Sequence, residues 1–160
     1  MRAISLWQPW AQLVAIGAKR IETRHWPTNI RGTIAIHAAK KWNRELRELS
    51  MEQPFRDALY PGNAITWACA PALGAIVAVA ELYTCAPIVH PGGAVGARQS
   101  VLDPLALRPE EKAFGNYDLS AGPRFAWGLR NAQALAEPIP FTGRQGFFDV
   151  PDELIAGALR

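Results

Sequence analysis

The stretch Gly17-Ala18-Lys19-Arg20-Ile21-Glu22-Thr23-Arg24 decides how this chain is read. Upstream of it, Pro9 suits a first helical turn, and Trp10, Leu13 and Val14 recur at helical spacing. Gly17 therefore marks a helix end and Lys19 follows directly on it. Downstream, Arg20-Ile21-Glu22-Thr23-Arg24-His25-Trp26 alternates apolar or small residues with polar ones and stops at Pro27, which is the pattern of a strand. Glu22 and Arg24 stand two residues apart on that strand, so they share a face. Lys19 and Arg24 supply fixed positive charge, and Glu22 can hold them or accept hydrogen bonds from a base edge. Next to Trp7, Trp10 and Trp26 these are the ingredients of a nucleobase pocket: a stacking surface with directed donors and acceptors. The same residues also compose an ordinary surface salt-bridge ladder, which contributes little to stability.

Working outward, Gly32-Thr33-Ile34-Ala35-Ile36-His37 reads as a second strand after a turn at residues 28–32. Lys41 to about Phe55 reads as a charged helix with Leu46 and Leu49 on its buried side, ended or restarted by Pro54. Gly74-Ala75-Ile76-Val77-Ala78-Val79-Ala80-Glu81-Leu82 is nearly all apolar and reads as a strand buried on both faces. Residues 86–123 are rich in Pro and Gly and form an irregular excursion with one short helix near Pro109–Phe114. Phe125–Leu129, then Pro138–Phe141 and Phe147–Val150, read as further strands. Short strands with helices set among them predict a mixed α+β, barrel-like domain spanning residues 1–160.

Composition narrows the function classes. Hydrophobic residues make up 49% and charged residues 19% of the 160, a globular balance. No apolar run approaches the roughly 18 residues that span a bilayer. Gln8 and Pro9 interrupt the start of the chain too early for a secretory leader, so a cytoplasmic location is expected. Cys69 and Cys85 form no CxxC and His25, His37 and His90 are scattered, so neither a metal nor a cofactor is expected. Net charge is +3 but uneven: residues 1–50 hold nine Lys/Arg against three Glu, while residues 51–160 hold eight against eleven Asp/Glu. A basic first third interleaved with tryptophans suits an anionic partner with stackable bases.

Leu6-Trp7-Gln8-Pro9-Trp10-Ala11 followed by Gly17-x-Lys19-x-x-Glu22-x-Arg24 resembles the opening of the ASCH (activating signal cointegrator homology) domain, whose signature is GxKxxExR. The resemblance continues in order through Asn29-x-Arg31-Gly32 with Ile36-His37-Ala38, Gly74–Leu82, Glu111-x-Ala113-Phe114-Gly115, Arg124-Phe125-Ala126-Trp127-x-Leu129 and Pro138-Ile139-Pro140-Phe141-x-Gly143-x-Gln145-Gly146. It implies a PUA-like β-barrel with a few short helices, its signature lining a cleft, and a role in RNA metabolism. Some branches of the family bind RNA or DNA. One removes the acetyl group of N4-acetylcytidine with a lysine, a threonine three residues on and a distant glutamate, and another is of ribonucleases. Lys19 matches that lysine, but Glu22 stands where the threonine is expected. Thr23 is adjacent and, by strand alternation, is expected on the opposite face.

These readings predict recognition of a single-stranded RNA segment or modified nucleotide, with a same-family hydrolase as the alternative. In the hydrolase, Lys19 would act with Glu22 or Glu81, and Lys19 would need a depressed pKa that Arg20 and Arg24 favour and Glu22 opposes. Lys19, Glu22 and Arg24 are expected in the cleft wall. Trp26, before a proline at a strand end, is expected as an exposed ring. Trp10 divides between stacking and core, and Trp127 reads as core on a strand that the resemblance sets beside the cleft. Arg31 and Arg124, at turns entering strands, are candidate phosphate contacts. Glu81 ends an apolar run, where an unpaired carboxylate is costly, so it is either paired or, as expected, facing the cleft. His37 reads as a satisfied core or edge histidine rather than a base.

Overall fold

A computed structural model describes residues 1–61, 71–89 and 107–158. Its frame is a six-stranded mixed sheet. The first strand, β1 (Arg2–Leu6), precedes the first helix, α1 (Trp10–Ala15). β2 (Ile21–Arg24) carries the signature and β3 (Gly32–Ala38) follows. After α2 (Arg44–Ser50) and α3 (Phe55–Leu59) come β4 (Ala75–Pro87), α4 (Pro109–Ala113) and β5 (Phe125–Pro140). The chain closes with β6 (Phe147–Asp149) and α5 (Asp152–Ala156). The strands run in the order β2-β5-β4-β3-β1-β6, with β1 parallel to β3 and every other pair antiparallel.

Two contacts require this sheet to curl. β2 and β1 are four places apart in the order, as are β5 and β6, so a flat sheet would separate each pair by about 19 Å at roughly 4.8 Å per strand. Yet Arg24 Nη2 donates to the Ser5 carbonyl at 2.9 Å, and the rings of Trp127 and Phe147 stack with centroids 5.3 Å apart. The sheet is therefore a half-barrel whose far strands face each other. Its inner face packs Ile4, Leu6, Ile34, Ile36, Leu82, Trp127 and Leu129 against Ala11 and Val14 of α1. The outer face buries Ala3, Ala35, Ile76, Val79 and Phe148 under Ile155 of α5. Leu13, on the other side of α1, joins Phe55, Leu59 and Phe114.

Burial on both faces explains why the first strand was missed. β1 carries no clean alternation, because Ala3 and Ile4 are both buried, in different clusters, and it was not expected ahead of the helix. β5 is one strand of 16 residues where two short ones were expected. The polar run after Leu129 reads as a break, but Asn131, at φ 51°, sits where the β4–β5 register shifts and the pairing resumes beyond it. β4 extends to Pro87, into the expected excursion; the part of that excursion at 90–106 lies outside the described residues, while its expected helix is α4. The charged helix does restart at Pro54, giving α2 and α3. Gly17, at φ 74°, turns the chain out of α1 as expected, and the Gly17 amide bonds the Val14 carbonyl.

Candidate functional site

A cleft of about 350 Å³ opens at the seam where β1 and β2 face each other. Its walls are the end of β1 with the Trp7–Trp10 turn, the signature strand β2, and the loop from α4 to Asn116, with Arg124 at the mouth. The Trp7–Trp10 turn is held from below by Gln8, which is fully buried. Gln8 Oε1 accepts from the Gln12 amide and Gln8 Nε2 donates to the Ala72 carbonyl. Trp7 is left 49% exposed, with Lys41 Nζ 3.7 Å above its ring centre, whereas Trp10 is half-buried edge-on to Phe55.

The signature charges are stacked in depth. Lys19 is buried, 2% exposed, and its ammonium meets three acceptors: the Ile21 carbonyl, the Phe114 carbonyl at 2.8 Å and Glu22 Oε2 at 3.5 Å. An ammonium has three protons, so Lys19 is fully committed to the protein. Burial holds its pKa below the ordinary lysine value, against the pull of the Glu22 and Glu111 carboxylates. Glu22 joins the layers, since its other oxygen lies 3.1 Å from Arg24 Nε. Arg24 Nη2 goes to Ser5, which leaves Nη1 without a protein partner among the described residues. Among the described residues Arg124 uses only Nε, on the Asn116 carbonyl. The positive charge free to meet a ligand thus belongs to the two guanidiniums, and a carboxylate acceptor lies between Arg24 and the buried lysine.

The geometry separates the expected site residues. Lys19, Glu22, Arg24, Trp10 and Arg124 all border the cleft. Trp26 does not: its ring is half-buried edge-on to Trp127 at 4.5 Å and near Phe147, because the chain after β2 folds over the seam's aromatic stack. Trp127 is fully buried beneath it and does not border the cleft. Arg31 bends back on its own turn, donating to the Thr28 and Ile30 carbonyls. Glu81, expected to face the cleft, is instead paired on the β4–β5 ladder. It takes a two-pronged bond from Arg130 at 2.6 and 2.9 Å and another from Asn131, which hold its carboxyl below the usual range. His37 is a satisfied interior histidine, bonded at Nδ1 to Ser5 Oγ and at Nε2 to the Phe141 carbonyl, both at 3.0 Å.

The ASCH domain model matches residues 4–90, more than half of the chain and all of the signature. The chain belongs to the ASCH domain family. The fold is similar to that of crystal structures of ASCH from Zymomonas mobilis. The parent protein gives a TM-score of 0.51 at 16% identity, covering 97% of this chain and 90% of that one. A tyrosine-to-phenylalanine variant and a serine-to-alanine variant of it each give 0.50 at 16% identity, covering 98% of this chain and 94% and 92% of theirs. No curated protein matches. The half-barrel with its few short helices is accordingly of the PUA-like kind.

Parts of this ASCH cleft were not singled out from sequence. Trp7 was grouped with the other tryptophans of the basic first third but was not among the expected site residues; its exposure depends on the buried Gln8 beneath the turn. Thr23, expected on the face away from Glu22, also borders the cleft, because the 113–116 loop wraps around the edge of β2 and the Asn116 amide bonds Thr23 Oγ1 at 3.0 Å. Glu111 is buried and receives the Arg20 and Ile21 amides at 2.9–3.0 Å, which ties α4 to β2. Its only sequence signal was its place in the Glu111-x-Ala113-Phe114-Gly115 block. Among the described residues no helix is long and apolar enough to cross a membrane, and no cluster of three or more His, Cys, Asp or Glu could hold a metal ion.

Proposed function

We propose that the cleft binds a single-stranded RNA segment, or a modified nucleotide within one. The observation that carries this reading is the convergence of an exposed indole (Trp7), two incompletely used guanidiniums (Arg24 and Arg124) and the Glu22 carboxylate on one cavity of nucleotide dimensions. Membership of a family linked to RNA binding supports it. In this reading Trp7 stacks a base, with Trp10 beside it. Glu22 accepts from a base amine, and Arg24 and Arg124 meet phosphate or base oxygen. Lys19 acts from beneath by holding Glu22 and the Phe114 loop in place, and so it is a positioning residue.

The test is fluorescence anisotropy with labelled single-stranded RNA over a salt series. Arg24→Ala and Arg124→Ala are each expected to weaken binding and to flatten the salt slope by about 0.7. Trp7→Ala is expected to remove about 1–3 kcal/mol of stacking. RNA affinity unchanged in all three variants would overturn the reading.

One observation favours a second reading, hydrolysis of an acylated nucleoside or an RNA phosphodiester. Burial pulls the Lys19 pKa toward the range of a general acid or base, and Glu22 lies 3.5 Å away. Turnover of N4-acetylcytidine or of labelled RNA that is lost in Lys19→Ala selects it. Binding without turnover selects the first.

A further inference from the structure

A second groove, of about 820 Å³, lies at the same end of the half-barrel, walled by the 140–145 loop, the start of β6 and Lys40. It adjoins the first through β3. The Ala39 amide bonds the Leu6 carbonyl at 2.8 Å, so the chain leaving β3 emerges beside the end of β1, and the next two residues are both lysines. Lys41 lies over Trp7 on the rim of the cleft, and Lys40 lines the groove. Lys40 is laid in place rather than left loose. Its stem crosses Gly74 so closely that a side chain there would sit 2.8 Å from Lys40 Cε and 2.9 Å from Cγ.

The groove has the chemistry of a polyanion track. Lys40 and Arg144 are exposed and have no carboxylate partner among the described residues, while Asp149, the acid in the wall, is occupied by Arg2 at 3.1 and 3.2 Å. Gln145 and the half-buried Phe141 and Phe147 complete the wall; their rings are already stacked within the protein, Phe141 on Phe148 and Phe147 on Trp127, so the cations are what the groove offers a ligand. A groove with unpaired cations along it binds single strands by tracking and neutralising the backbone.

We propose that this groove carries the backbone of a single-stranded nucleic acid leaving the cleft over Trp7 and Lys41, so that the protein grips several consecutive nucleotides. The proposal rests on the cleft being a nucleotide site. It is tested by measuring the binding of a labelled uridine dinucleotide and a labelled uridine decamer to the intact chain and to the double variant Lys40→Ala, Arg144→Ala. Both positions are exposed, and circular dichroism checks that the variant folds. The intact chain is expected to bind the decamer roughly tenfold or more tighter than the dinucleotide. The double variant is expected to lose that gain, with a salt slope lower by about 1.4 on the decamer and an unchanged dinucleotide affinity. The charge reversals Lys40→Glu and Arg144→Glu are expected to push decamer affinity below that of the alanine pair. A decamer bound no tighter than the dinucleotide, or an unaltered decamer affinity in both double variants, overturns the groove and leaves the cleft standing. Failure of the intact chain to bind either oligonucleotide overturns both.

Discussion

At the scale of single residues, the site is shaped by how many partners each charge already has. Lys19 has three protons and three protein acceptors, so it sets the floor of the cleft, whereas Arg24 and Arg124 keep donors in reserve. His37 shows the same saturation in a neutral group. Burial holds its pKa below the ordinary 6.5, opposed by its bond to the Phe141 carbonyl. The folded state therefore binds this proton less readily than the unfolded chain. Stability from His37 is full above pH 6.5 and is lost as pH falls from there toward the depressed folded value. Urea unfolding measured from pH 8 downward is expected to show this loss, and His37→Gln to remove that part of the pH dependence. Identical profiles for the two proteins would contradict it. The saturated core histidine was legible because a histidine inside an apolar strand needs partners. The pairing of Glu81 was legible only as an alternative, because its partner Arg130 lies 49 residues away.

At the scale of elements, the cleft depends on a five-residue helix that could not stand alone. β2 is an edge strand, and α4 with its following loop covers that edge. The Glu111 carboxylate takes the Arg20 and Ile21 amides, the Asn116 amide goes to Thr23 Oγ1, and the Phe114 carbonyl takes Lys19. These bonds replace the strand partner that β2 lacks. Glu111→Ala is expected to lower stability by about 1–3 kcal/mol, since it strips a charged acceptor from two amides. Faster hydrogen exchange at Arg20 and Ile21, with weaker RNA binding, would accompany it. Wild-type protection at both amides would show that the helix does not seal the edge. Pro109 and the acids after it made the helix itself readable. What it covers was not, because the bonds span about ninety residues.

At the scale of the whole molecule, the site exists because the sheet curls. Trp127 is the hinge of that closure, stacked on Phe147 at 5.3 Å and met edge-on by Trp26 at 4.5 Å, so three separate stretches of chain share one aromatic cluster. Trp127→Ala is expected to cost about 3–5 kcal/mol, read as a lowered Tm, and to weaken RNA binding although the residue does not border the cleft. An unchanged Tm would mean that the stack does not hold the seam. Within that frame the parallel β1–β3 pairing sets the Lys40–Lys41 pair beside Trp7, so part of the basic excess of the first fifty residues lies at one end of the half-barrel.

The signature helix end and strand, the buried strand at 74–82, the short helix after Pro109 and the grouping of Lys19, Glu22 and Arg24 follow from local rules. Helix spacing, strand alternation and turn residues act over a few positions, and the chain states them directly. Which tryptophan is exposed, which carboxylate is already paired, and which cation is spent on backbone carbonyls were decided only by tertiary structure. Apart from Arg31, which bends back on its own turn, each depends on contacts between residues far apart in the chain, and the amino-acid order alone does not set those distances.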